Sequence, residues 1–389
     1  MRFVFFILAP FLTFLRSCWD LRHRSAQIIF VLFFGLFGYC HLFDDIRADS
    51  YRKKESFANY GIETYSDILS DYQQGEIKDL YESILYTTVK QFTDDPRILM
   101  MVVGLFAGFF YMLVVKRFLQ DNKMGLAWPV IILLSFVVIE SNIPIMGTIR
   151  SFTAFPLLMY SIMRLLLDNK KIWIIGLLVT PLIHFGYMIA VVAALVIWLI
   201  KIPNVIMHYV AIVVCASSLF LSTSSYADVL SVMVDSMENE SIADRMDSYG
   251  DEDIDSKFNK SLTTRLVRVN NQIGTLFMIA FLMYIYRNRK KLINTPYIEK
   301  IYHLLLFFTI IGYTLISFSV VGQRFVYIAM VLLYLFLLNL YQQNPNSHIK
   351  KFIYSLPIVF SIHILWFLYN CYCNTGWDIY YKPLLFLFM

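Results

Sequence analysis

The sequence predicts an all-α, polytopic membrane protein with about 11–13 membrane helices. Three observations predict it. Hydrophobic residues make up 58% of the 389 positions and charged residues only 16%, against about 45–50% and about 25% in soluble domains. The mean hydropathy is +0.61. The apolar residues gather into windows of membrane-helix length, separated by short basic turns and two long polar stretches. The whole chain, 1–389, reads as a single membrane domain.

The windows fall at 3–20, 26–43, 98–115, 128–146, 152–167, 172–200, 205–222, 273–286, 301–321, 325–341 and 352–372, with an apolar tail at 377–389. The first has Arg2 before Phe3–Leu15, like a signal peptide, but Arg16, Arg22 and Arg24 follow where a small-residue cleavage site belongs. It is expected to be a retained helix or an interfacial anchor. A spanning helix needs roughly 20 residues, so the shorter windows are expected to be broken or shielded by neighbours.

Positive charge marks the cytoplasmic side. Arg16–Arg24, then Lys116, Arg117 and Lys123, then Arg164, Lys170 and Lys171, then Arg287, Arg289, Lys290 and Lys291 meet that description, with Lys350 and Lys351 weaker. The stretch 44–97 holds twelve acidic and seven basic residues, and 223–272 holds ten and five. Both are expected to be extracytoplasmic loops. The crossing count then poses a problem. With Lys170–Lys171 inside and the loop from Thr223 outside, an odd number of crossings must lie between them. A hairpin of two short helices within 172–200, broken near Thr180–Gly186, restores the parity; proline-interrupted apolar segments often mark sites within membranes. The alternative is one tilted 29-residue helix, with another window not crossing.

With the hairpin, polar residues converge on the outer side. His184 lies in a 29-residue run without Asp, Glu, Lys or Arg, three residues after Pro181 and two before Gly186. Such a residue usually faces a cavity or a partner. Arg150 lies beside Glu140 and Asn142, and Gln323 and Arg324 lie in an outer turn. Arg47, Asp49 and Tyr51 follow the second window. Arg matches phosphate oxygens with a two-pronged fork, and His is the commonest general acid or base near neutral pH. Each has a plainer alternative: arginines snorkelling to headgroups, His184 bonding a carbonyl freed by Pro181, a solvated Asp49, Glu140 pairing with Arg150. His208, His303 and His363 have no comparable break beside them and are read as structural.

Other chemistries find no support in the sequence. There is no Gly-rich nucleotide fingerprint, phosphate loop or G-x-S-x-G elbow, no His/Asp spacing for a metal, and nothing that points to nucleic acid. The five cysteines imply no disulfide framework. An aspartate pair that would hold a divalent ion against a sugar nucleotide is also missing.

Four local features resemble the EpsG/Wzy-type polysaccharide polymerases of bacterial envelopes. They are Arg-Ala-Asp-Ser-Tyr at 47–51; Thr-Ile-Arg-Ser-Phe-Thr-Ala at 148–154, with Ser151 where the family often has Gln; Asp-Asn-Lys-Lys at 168–171 followed by an apolar run to Ile-His-Phe-Gly at 183–186; and Gly-Gln-Arg-Phe at 322–325. The resemblance implies a multi-pass protein of the bacterial inner membrane. It implies an enzyme that transfers a growing glycan from undecaprenyl diphosphate to a lipid-linked repeat unit at the outer face, without cofactor or metal. Its partners would be that lipid-linked oligosaccharide, the bilayer and a chain-length regulator. Arg150 and Arg324 would then hold the diphosphate, and His184 or Asp49 would be the base. Arg47, Tyr51, Glu140 and Gln323 would be sugar contacts or supports. A transporter or flippase for an envelope glycan or lipid, an O-antigen ligase and a membrane acyltransferase remain competing readings.

Overall fold

The computed structural model describes residues 1–44, 49–61, 63–77, 79–200, 203–220, 262–316, 319–345 and 348–385. The described residues form helices and turns, with no strand among them. They divide into two compact units, 1–200 with 366–389, and 201–365.

Among the described residues, four helices are long and apolar enough to cross a membrane: Pro96–Gln120, Trp128–Ile145, Val269–Arg287 and Gly322–Gln343. Ile349–Val359 and Ser361–Thr375, bent by 49° at their junction, make a fifth if they form one span. Arg24–Tyr39, Trp173–Ile183, Phe185–Leu199 and Asn204–Ser218 are apolar but only 10–17 residues long. They fall in the windows at 26–43, 172–200 and 205–222.

The first unit opens with α1 (Arg2–Leu8) and α2 (Pro10–Trp19), broken where Pro10 starts a new helix. Phe14 of α2 stacks on Phe33 of α3 (Arg24–Tyr39) at 4.2 Å. Helix α3 packs on α7 (Pro96–Gln120) with the backbones nearly touching. A Cβ on Gly38 would lie 2.1 Å from the Met100 carbonyl oxygen, and one on Gly104 2.2 Å from that of Phe34. Without a hydrophobic driving force between helices in lipid, such close approach through small residues is a main source of association.

Between α3 and α7 the polar stretch 44–97 is a helical cap, not an open loop. It contains α4 (Asp49–Asn59), α5 (Tyr65–Gln74) and α6 (Leu80–Lys90). Helix α5 carries its own punctuation. Thr64 and Asp67 form a capping box, and Gly75 ends the helix at φ +80°, where a side chain would be strained.

Helix α8 (Trp128–Ile139) leads through a 3-10 turn to α9 (Ile149–Ile162), which continues as a π-helical turn over Met163–Leu167. Asn169 then adopts φ 54°, and the Asp-Asn-Lys-Lys turn reverses the chain. At this end Arg117 of α7 donates Nε and Nη2 to Asp168 (3.0 and 2.7 Å) and Nη1 to Asp121 (2.7 Å), while Arg164 also reaches Asp168 at 2.6 Å. From Arg150 to Asp168 the helix rises about 27 Å, close to the hydrocarbon thickness. The membrane part of this unit therefore has a charged cluster at each end.

The segment 172–200 is two helices and not a single one. Helix α10 (Trp173–Ile183) ends at His184, a 3-10 turn covers Phe185–Tyr187, and α11 (Met188–Leu199) follows. Pro181 cannot donate to the preceding turn. His184 takes an extended conformation (φ −153°, ψ 106°). Each half is about 16–18 Å long, too short to cross alone.

The second unit contains Asn204–Ser218, Leu262–Arg287, Pro296–Thr314, Ser319–Gln343 and Ile349–Val359. Phe281 lies against Phe336 and Phe352 at 6.1 and 5.3 Å in its core. His208 is hydrogen-bonded through Nδ1 to Tyr302 and stacks on Tyr286. His303 Nδ1 lies 2.6 Å from Asn204. Of the expected loop 223–272, residues up to 261 lie outside the described residues, and the remainder is already helix.

Candidate functional site

The break after α10 faces the start of α6. Asp79 sits at the N-terminal cap position of α6, yet its carboxylate does not cap its own helix. Oδ1 instead accepts a 2.7 Å hydrogen bond from the backbone N–H of Phe185. Oδ2 accepts from Nη1 of Arg150 at 2.5 Å and lies 3.8 Å from Nδ1 of His184. The side chain of Asp79 is 1% exposed, so this is a carboxylate withdrawn from water and held by three partners.

Glu82, one turn on, faces the same way. It forms an ion pair with Nε of Arg150 (3.1 Å) and accepts from the hydroxyl of Tyr86 (2.7 Å) and from Lys53 of α4. The spacing of 79, 82 and 86 puts these side chains on one face of α6. Two cations and two carboxylates thus alternate across the seam between the cap and the membrane helices. Tyr187 packs edge-on against the His184 ring at 5.6 Å, and its hydroxyl lies 3.3 Å from Ser151. Thr153 of α9 donates to the hydroxyl of Tyr81 at 3.3 Å.

Burial alone would raise the Asp79 pKa, but the nearby His184 ring, the hydrogen bond from the Phe185 N–H and the charge of Arg150 outweigh it and leave it below the ordinary carboxylate value of 3.8. The carboxylate is ionised at neutral pH. An ionised aspartate beside imidazole fixes the ring's orientation and stabilises its protonated form. The arrangement can therefore take up a proton at His184 next to a partly exposed guanidinium.

Of the residues singled out from sequence, Arg150 and His184 meet at this seam. Asp49 and Tyr51 lie on α4 of the cap. Asp49 is bound to Arg52, and Lys54 sits 5.9 Å over the Tyr51 ring. Glu140 is buried at the end of α8, and the ion pairs of Arg150 are with Asp79 and Glu82. Gln323 and Arg324 belong to the second unit, partly exposed in the first turns of Ser319–Gln343. The neighbouring Gly322 packs so closely that a Cβ would lie 2.3 Å from the Leu315 carbonyl oxygen. Arg47 lies outside the described residues. Among the described residues, no group of three or more His, Cys, Asp or Glu side chains is arranged to hold a metal ion.

The family model of EpsG matches residues 25–380, nearly the whole chain. The chain belongs to the EpsG family. No curated protein and no solved structure matches it. EpsG membership, together with the apolar helices, makes it a multi-pass membrane protein of polysaccharide-polymerase type. The match takes in both the seam at Asp79, Arg150 and His184 and the Gly322–Phe325 segment of the second unit.

Sequence reasoning missed Asp79, Glu82 and Lys53. The signal for the first two was present: an Asp followed three residues later by Glu, ahead of an amphipathic run, is a helix-start pattern. It lay inside a stretch read as a loop.

Proposed function

We propose that this protein is a membrane glycosyltransferase of the bacterial inner membrane. It elongates a polysaccharide by moving a growing glycan from undecaprenyl diphosphate to a lipid-linked repeat unit on the outer side. The observation that carries this reading is the meeting of Asp79, Arg150 and His184 at a break in an apolar segment, in a chain that matches EpsG over 25–380.

His184 is the better base. Asp49 is exposed and bound to Arg52, whereas His184 is supported by a buried carboxylate. The acceptor hydroxyl oxygen attacks the anomeric carbon of the donor glycan, and its proton passes to His184. The bond from that carbon to the diphosphate oxygen breaks, and its electron pair leaves with undecaprenyl diphosphate. Asp79 keeps the imidazole oriented and stabilises imidazolium. Arg150 meets the negative charge growing on the leaving group; a diphosphate-binding role for Arg324 rests on the resemblance of the Gly322–Phe325 segment alone. Preorganised charge of this kind is usually the largest catalytic term.

The test is chain growth by the purified protein in detergent, supplied with a lipid-linked repeat unit. No compartment exists there, so transport cannot contribute. Long glycan should form, and Arg150→Ala and Arg324→Ala should abolish it while both proteins still insert. Absence of growth by the unaltered protein would favour a flippase. Growth only onto a lipid A core would make it a ligase. Normal chain length in both arginine variants would remove the diphosphate assignment.

A further inference from the structure

Helix α6 has a second face that the charged seam does not use. Tyr81, Ile84, Leu85, Thr88 and Val89 recur at the spacing of one helical stripe, and Phe92 prolongs it into the following turn. With Ile98 and Val102 of α7 they line a shallow groove. Along its rim Ile84 is 41% exposed and Phe92 83%, and Thr88 between them is exposed as well. The two charged residues of α6 are turned elsewhere. Glu82 goes to Arg150 and Lys53, and Lys90 donates to the carbonyl of Ala58.

What covers this face follows from its level along α7. That helix has no charged residue from Ile98 to Val115, and Arg97 stands about 30 Å from Arg117 along the axis. This is one hydrocarbon thickness. Arg97 and its neighbour Asp94 are both exposed, so they mark the membrane boundary at this end. Tyr81 does not lie above that boundary. Its ring is 6.0 Å from the ring of Phe106, well inside α7, and its hydroxyl accepts from Thr153, a turn into α9 from Arg150. Both neighbours put Tyr81 roughly 10 Å inside the level of Arg97. Phe106, half-exposed on a helix able to span the membrane, belongs to the lipid-facing surface, and the stripe of α6 continues it.

Two polar details suit an apolar medium. The Thr88 hydroxyl donates to the Ile84 carbonyl at 2.6 Å, so the polar group on the exposed line is satisfied inside its own helix. The non-helical entry to α6 at Asp79 is buried at the seam, as such backbone must be at membrane depth.

We propose that α6 is set into the bilayer beside α7, with Ile84, Thr88 and Phe92 against phospholipid acyl chains on the side away from the Arg117–Asp168 cluster. Its 11 residues are too few to cross, so it is a half-helix that enters and leaves by one face. An amphipathic helix at this depth lays its apolar line among acyl chains and, here, its charged side on protein.

The test uses the full-length protein reconstituted in phosphatidylcholine vesicles, in a parent carrying Cys373→Ser to remove the exposed native thiol. Ile84→Cys, Thr88→Cys and Phe92→Cys are each given a nitroxide label, with Gly61→Cys, in the connection between α4 and α5, as the reference in water. Collision with oxygen, which enters hydrocarbon, is compared with collision with a water-soluble nickel chelate. Oxygen should dominate most at position 84, less at 88 and least at 92, while position 61 should favour nickel. All three sites are open on the protein surface, so the labels should fit without unfolding. Nickel access at 84 equal to that at 61 would overturn the proposal and leave α6 in water. Poor access to both reagents at all three positions would also overturn it, because another protein surface would then cover the stripe.

Discussion

Asp79 accepts a 2.7 Å hydrogen bond from the backbone N–H of Phe185, one residue past the histidine at the break of α10. A single buried carboxylate thereby ties the cap to a membrane segment that Pro181 has opened. Asp79→Asn keeps an acceptor oxygen for Phe185 but loses the charge facing Arg150 and His184. Asp79→Ala loses both. We expect Asp79→Asn to insert normally and to slow chain growth by about 100-fold, the low end of a general acid–base contribution. Asp79→Ala should in addition lower the thermal midpoint, since a hydrogen bond to a charged group contributes about 1.5–3 kcal/mol. Thermal scans and glycan length together check this. Equal midpoints in the two variants would sink the tie, and full growth in Asp79→Asn would sink the Asp–His couple.

His184→Gln retains a polar side chain at the break and removes the proton acceptor. Growth should fall by about 100-fold or more. The acidic limb that a histidine base gives to the pH–rate profile should disappear from what remains. A variant with full activity and an unchanged profile would leave His184 as a cap for carbonyls freed by Pro181.

The Asp79 shift also fixes a pH window. A depressed carboxylate pKa contributes stability above the unfolded value and loses it as pH falls through the lower folded value. With the ordinary carboxylate value at 3.8 and the folded one below it, docking of the cap should stay constant from neutral pH down to about 4 and loosen only under that. Hydrogen exchange across 79–90 at stepped pH measures it. Loosening already well above about pH 4 would take the tie away from the Asp79 carboxylate.

The membrane helices were legible because their signal is long and one-sided. Windows at 98–115 and 325–341 lie inside helices Pro96–Gln120 and Ser319–Gln343. The break at His184 was legible from Pro181 and Gly186, because a donor-less residue and a Cβ-less one coincide in an apolar run. The cap was not, because charge dominates 44–97 and its helices are only 10–11 residues long. Short helices owe their stability to tertiary contacts more than to propensity. Thr64 with Asp67, and Asp79 with Glu82, were the local marks that outweigh composition there. The partners of Arg150 could not be found by proximity, since Asp79 lies 71 residues away in the chain. Glu140, near in sequence, was the natural guess.

Gly104 tests the packing under the site. A Cβ there would lie 2.2 Å from the Phe34 carbonyl oxygen, and the obstacle is backbone, which cannot rotate away. Gly104→Leu should force α3 from α7 and cost more than the about 1–3 kcal/mol typical of overpacking. Yield and thermal midpoint in detergent should both drop, whereas leucine at Gly61, with nothing near its Cβ position, should change neither. Unaltered stability in Gly104→Leu would mean the helices do not cross at this point.

Glu82 offers the sharpest separation of binding from folding. Lys53 and Arg150 are balanced by Asp79 and Glu82, so the seam has little net charge to attract an anionic carrier. Glu82→Gln keeps an acceptor for Tyr86 and Lys53 and leaves one positive charge in excess. If the diphosphate docks at Arg150, this variant should lower KM for the lipid-linked donor severalfold at low salt. The gain should shrink as ionic strength rises toward 0.15 M, where the screening length falls to about 8 Å. The thermal midpoint should drop at the same time, because the variant gives up ion pairs that hold the cap. KM and midpoint falling together is the signature of a charge retained for docking the cap at some expense to attraction of the donor. A KM that rises instead, at every salt concentration, would place the diphosphate elsewhere.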